Sequence, residues 1–149
     1  MSATNAMAAA MLSLYFENTN HANIGDGAGL VKSTADGVFY ISLHTADPGE
    51  TGDQTSSEAT FTSYARKSVA RGTATWSVTT ADPAVATNDA AITFVACTGG
   101  TNTITHFGIG TDASAAGNLL FSGALDSSLA VSNGITPEFA INALDITAD

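Results

Sequence analysis

The chain has 149 residues, enough for one domain whose core buries about two thirds of the unfolded surface, and a second domain is not expected. Only 12% of residues are charged, so Thr, Ser, Asn, Gly and Ala must cover much of the exterior, a surface suited to packing against other proteins. Fourteen acidic residues against four basic ones give a formal charge of -10, which repels a phosphate backbone or an anionic lipid surface. No apolar run approaches the roughly 18 to 20 residues of a membrane-spanning helix, so neither nucleic acid nor membrane is an expected partner.

Cys97 is the single cysteine, which excludes an internal disulfide framework and fits folding in a reducing cytoplasm. The stretch "NAMAAAMLSLYF" lacks a positive flank, because no Lys or Arg precedes Lys32, and it reads as part of the mature protein rather than a secretion signal. Residues 2–18 are predicted helical. Ser2, Thr4 or Asn5 offers a cap, and Met7, Met11, Leu14 and Tyr15 recur at i, i+4, i+7 and i+8 on one apolar face. That face needs cover, either from the protein's own sheet or from a neighbouring subunit on which the helix lies as an arm. The polar, Gly-rich "NTNHANIGDGAGL" follows, so residues 1–37 separate as helix and connection from a β domain over 38–149.

From there every predicted element is a strand. "GVFYISLHT" sets Phe39, Ile41 and Leu43 on one face and Val38, Tyr40, Ser42 and His44 on the other. A long acidic loop, "ADPGETGDQTSSEAT", leads to extended segments at 64–69 and 73–78, where Arg66, Lys67 and Arg71 gather three of the four basic residues. "AITFVACT", "TITHFGIG" and "NLLFSGAL" are further strands separated by Gly99-Gly100 and the 112–117 turn, the last ending at a Ser-rich break. "TPEFAINALDITA" closes the chain, with a bulge expected near Asn142-Ala143 to restore its register. Short strands without a second helix predict a mainly β fold, an antiparallel jelly-roll-like sandwich or a barrel with a short N-terminal helix.

Chemistry is sparse. His21, His44 and His106 form no ligand spacing, and Cys97 has no C-x-x-C partner, so zinc is not expected. Cys97 and His106 fall on strands that can pair, which permits a nucleophile arrangement, but a Cys in an apolar strand is better read as a small core residue. "GDGAG" lacks the Lys-Ser/Thr of a phosphate loop. Asp47, Glu50 and Asp53 are the weak candidates for a calcium site, set against a plain solvated loop. No catalytic residue and no cofactor is expected.

The succession "LHTADPGETG", "YARKSV", Trp76, "AITFVACTGG", "THFGIGTDASAAGNLLFSGAL" and "GITPEF...LDI" resembles small tailed-phage virion proteins often labelled tail fibre proteins, a family with head-surface members. The resemblance covers roughly residues 38–147. It implies a non-enzymatic β-rich subunit that works as an oligomer on a virus particle. The leading expectation is a capsid decoration (cement) protein that bridges neighbouring copies of the major capsid protein on the head surface, a homotrimer assembled in the host cytoplasm. The alternative is a tail fibre or tail-tip component that contacts the host, with the acidic loop at 46–60 as a receptor-binding loop. Either way Met7, Met11, Leu14 and Tyr15, together with a basic patch of Arg66, Lys67 and Arg71, are the expected partner-binding residues. The competing reading of the three basic residues is that they are solvated or paired with the acidic loop.

Overall fold

A computed structural model describes residues 3–148; Ser2, one of the candidate caps, lies outside the described residues. The described residues form one helix, α1 (Asn5–Phe16), and nine strands: β1 (Val38–His44), β2 (Lys67–Ala70), β3 (Trp76–Thr79), β4 (Ala84–Asn88), β5 (Ile92–Thr93), β6 (Asn102–Gly110), β7 (Leu119–Val131), β8 (Glu138–Phe139) and β9 (Asp145–Ala148). The fold is mainly β, with antiparallel sheets and a single short N-terminal helix, as expected, and it fits a β-sandwich. The strand orders β2-β1-β6-β7, β3-β4-β9 and β5-β8 are open rather than closed, unlike a barrel.

The chain divides into two compact units. One takes residues up to Gly37, Ala70–Ala91 and the residues from Phe139 on; the other takes Val38–Val69 and Ile92–Glu138. The expected boundary at 37/38 is thus one of the crossings between units, and the helix shares its unit with two later segments.

In the first unit Thr4 caps α1, its extended backbone (φ -76°, ψ 153°) letting Oγ1 accept from the Met7 N–H at 3.3 Å. Termination is equally specific. Asn18 adopts a left-handed φ of 52°, Gly72 N–H donates to Phe16 O at 2.7 Å, and the Arg71 guanidinium donates to the Leu14 and Tyr15 carbonyls. A cation on the orphan carbonyls of the last turn also favours the negative end of the helix dipole. Ala8, Ala9, Leu12 and Phe16 are the buried helix residues, packed on the β3-β4-β9 sheet, where the rings of Phe16 and Trp76 meet edge to face with centroids 4.8 Å apart. The helix therefore belongs to its own protein's core. Asn88, fully buried, ties this unit together: its amide donates to Ala90 and Ala140 carbonyls at 2.7 and 2.8 Å and accepts from Ala143 and Leu144 N–H at 3.1 and 2.8 Å.

In the second unit β1 pairs antiparallel with β6, Ile41 facing Ile109 and Leu43 facing Phe107, and β6 pairs in turn with β7. Phe39, Ile41, Leu43, Ile104, Phe107 and Ile109 are buried on these strands, and Phe61, Phe94 and Val131 are among the other buried residues of its core. The strand β7 runs through the expected Ser-rich break. Ile104 pairs with Leu129 and His106 with Ala124, so Leu125, Asp126, Ser127 and Ser128 bulge out opposite Thr105 alone. The expected bulge at Asn142-Ala143 is instead a turn, with Asn142 at φ 58°, and the run splits into β8 and β9 in different sheets. Of "AITFVACT" only Ile92–Thr93 is strand; Phe94 and Cys97 N–H groups donate instead to the carbonyls of Pro137 and Ile135.

Candidate functional site

The alternation of β1 sets Ser42 and His44 on the face opposite Phe39, Ile41 and Leu43, and both are fully buried. Their cover is the acidic loop. It folds back from the end of β1, with Thr45 N–H on Ser57 O and Ala59 N–H on Leu43 O, both 2.8 Å, and His44 Nδ1 donates to Ser56 O at 2.8 Å. A carbonyl can only accept, so Nδ1 carries the proton and Nε2 accepts from the Ser42 hydroxyl at 2.8 Å. This neutral ring is the form that burial favours, and desolvation holds the His44 pKa below the usual value despite the Ser56 bond and nearby Glu58. An unfolded His protonates near pH 6.5, so the stabilisation is complete above that pH and is lost as the pH falls. The melting temperature is expected to drop between pH 7 and pH 5. His44→Gln is expected to flatten that drop while lowering stability at pH 7; an equally steep drop in the variant would place the acid sensitivity elsewhere.

The loop is pinned a second time by Gln54, which is 0% exposed. Its backbone N–H donates to Ala116 O at 2.9 Å, its side-chain oxygen accepts from Asp112 N–H at 3.0 Å, and its amide donates to Asp112 O at 3.3 Å. Two glycines make the space: a β-carbon at Gly110 would stand 2.2 Å from Gln54 Cδ, and Gly117, at φ +55°, would bring one within 2.3 Å of Gln54 Oε1. Arg66 completes the clamp. Its side chain, 3% exposed, grips Glu58 in a two-pronged pair, Nε to Oε1 at 2.7 Å and Nη2 to Oε2 at 2.8 Å, and donates further to the carbonyls of Asp112 and Ala115 at 2.9 and 2.8 Å. The Glu58 hydrogen bond raises the Arg66 pKa still further, and burial pushes up the Tyr64 phenol, which donates to Glu58 at 2.9 Å and accepts from Leu43 N–H at 3.0 Å. Loop 45–58 is thereby fastened to hairpin tip 111–118, and Asp47, Glu50 and Thr51 stand exposed on it.

The predicted site residues fare unevenly. Arg66, Lys67 and Arg71 do not make a basic patch: Arg66 is consumed by Glu58 and the hairpin carbonyls, Arg71 by the helix end, Ser33 and Asp36, and Lys67 is left exposed. The pairing with the acidic loop is the reading that holds for Arg66. Met7, Met11, Leu14 and Tyr15 are not the buried face of α1. Met7, Met11 and Tyr15 are 38%, 41% and 45% exposed and Leu14 half-buried, because the neighbouring small residues Ala8 and Ala9 admit closer approach to the sheet. Asp47, Glu50 and Asp53 do not converge. Asp47 accepts from Gly49 N–H and Asp53 from Thr55 at 2.9 and 2.8 Å, the Thr55 bonds lowering the Asp53 pKa, and among the described residues no cluster of His, Cys, Asp or Glu is placed to hold a metal ion. Cys97 is buried with its thiol on Gly99 O at 3.2 Å, and His106 Nδ1 bonds Thr105 Oγ1 at 2.9 Å. Gln54, Tyr64 and Asn88 carry no local sequence signal as sites; the glycines at 110 and 117, which make room for Gln54, are the one hint, and only for that residue.

A family model, Podophage GP4 fiber I protein gp80, matches residues 2–147. The chain belongs to this family. As a member of the fiber I protein family it is a structural protein of the phage particle, and the match extends through the N-terminal helix, which the sequence resemblance had left out. No curated protein matches the chain. Among the described residues no helix is long and apolar enough to cross a membrane.

Proposed function

We propose that this subunit is a tail fibre or tail-tip component that works by binding, with the acidic platform at 46–60 as its host-facing surface. The observation that carries the reading is the family match across nearly the whole chain. The platform supports it, because a loop held by His44, Gln54 and Arg66 meets a partner already ordered and loses little conformational entropy on contact. No catalytic step is part of the proposal: His44 and Tyr64 are engaged in structural hydrogen bonds.

Capsid decoration is the second reading, favoured by a sparsely charged exterior of Thr, Ser, Asn, Gly and Ala that suits packing against other proteins. There the subunit, as a homotrimer, would clamp neighbouring major capsid proteins and stabilise the shell by mass action. Phage particles assembled without the protein separate the two. The fibre reading expects lost adsorption to host cells with unchanged retention of DNA on heating; normal adsorption with DNA released at lower temperature would move the subunit to the head.

A further inference from the structure

His44 lies under a short cover that is anchored at both ends. Gln54 fixes one end to the hairpin tip, Glu58 fixes the other through Arg66, and Ala59 N–H holds Leu43 O just beyond. Between the anchors run Thr55, Ser56 and Ser57. Thr55 and Ser57 are exposed, and Ser57 takes a left-handed φ of 54°, a conformation serine rarely adopts. These three residues are tied to the end of β1 by His44 Nδ1 on Ser56 O at 2.8 Å, and by the Thr45 N–H and hydroxyl on Ser57 O at 2.8 and 3.1 Å. The strand beneath pairs with β6 all along Tyr40 to His44, so the cover is the part that yields first.

The closed arrangement has no place for a second proton on His44. Nε2 accepts from Ser42, and a β-carbon at Gly108 would stand 2.6 Å from Ser42 Oγ and 2.7 Å from His44 Nε2, so the space beside that nitrogen is already filled. A protonated Nε2 would be a donor facing a buried hydroxyl that must turn its own proton away. The surroundings do not offset this. Burial is the largest influence on the ring and works against its charge; the Ser56 carbonyl and Glu58 favour the charge, and Arg66 and His106 oppose it. Glu58 is already engaged by Arg66 and the Tyr64 hydroxyl, and His106 stands directly across the β1–β6 ladder, its own partner on β7 being the uncharged Ala124. We infer that residues 55–57 are an acid-opened flap: protonated His44 is accommodated when they lift and admit water, so the loop loosens between its anchors as the pH falls while the sheet stays folded. A hydrated imidazole takes up its proton near pH 6.5, so the flap is closed at neutral pH and opens below that value. It does so wherever on the particle the subunit sits, and stands or falls separately from the fibre assignment.

Amide hydrogen exchange of the full-length protein, followed residue by residue by NMR and corrected for the intrinsic effect of pH, tests the flap. Thr45 N–H, whose acceptor lies on the flap, reports opening, and Ala59 N–H, whose acceptor lies on β1, reports the anchor. From about pH 7 to about pH 5 the protection of Thr45 is expected to fall on the order of ten-fold further than that of Ala59. The fall is expected to track protonation of the His44 ring, read from its own resonances in the wild type, and to vanish in His44→Gln. Thr45 and Ala59 losing protection in step, a Thr45 fall that does not follow the His44 ring, or a His44→Gln variant that keeps the extra fall would each overturn the flap.

Discussion

Replacing Arg66 with Ala is expected to destabilise the protein by about 1 to 3 kcal/mol, the usual cost of leaving a part-buried carboxylate without its charged donor. The physical loss is larger than one contact. Glu58 keeps only the Tyr64 hydroxyl, the carbonyls of Asp112 and Ala115 lose their donor, and the loop and hairpin tip come apart on that side. Arg66→Lys is expected to recover only part of the loss, since an ammonium cannot supply the planar fork that meets both carboxylate oxygens and two carbonyls. Arg66→Met combined with Glu58→Gln is expected to be milder than Arg66→Ala, because no charge is then buried unpaired and the Gln oxygen still accepts from Tyr64. Urea denaturation of the four proteins checks this ranking. A single Arg66→Ala variant within about 0.5 kcal/mol of wild type, the range of an ordinary surface change, would mean the clamp contributes nothing.

The second large effect lies in α1. Phe16→Ala is expected to lose about 3 to 5 kcal/mol, because it empties a fully buried position and removes the ring packed against Trp76. Met7→Ala and Met11→Ala are expected to stay within about 0.5 kcal/mol, since both side chains stand 38% to 41% exposed and Ala is the better helix former. The contrast matters because the two faces of this helix are both apolar. If the methionine changes were the damaging ones, the helix would be docked through the face that the periodicity of bulky residues first suggests.

That face illustrates what the sequence hides. Counting large side chains selects Met7, Met11, Leu14 and Tyr15, whereas the sheet takes the side with Ala8 and Ala9 because small residues bring the helix axis close enough for Leu12 and Phe16 to fill the core. Strand β1 and the β6–β7 hairpin were legible because bulky residues alternate there and Asp, Ser, Ala and Gly mark the turn between them. Strand β4 was not, since "AVATN" has no bulky alternation and is identified as a strand only by its neighbours β3 and β9. The platform was hidden for a different reason. Arg66 meets Glu58 eight residues away, but its other partners, Asp112 and Ala115, lie 46 and 49 residues on, and Gln54 reaches Asp112 across 58. Local spacing groups Arg66 with Lys67 and Arg71 and suggests a patch; the fold sends each guanidinium to a separate cluster of carbonyls, Arg66 with Glu58 as well.

The central claim, that this is a fibre component whose acidic platform faces the host, is tested most directly by locating it on the particle. An electron cryomicroscopy map of the intact phage is expected to place the β1–β6–β7 sheet in density belonging to the tail fibre, with loop 45–58 turned away from the particle. Density for the same sheet on the outer surface of the head, seated between capsid subunits, would contradict it.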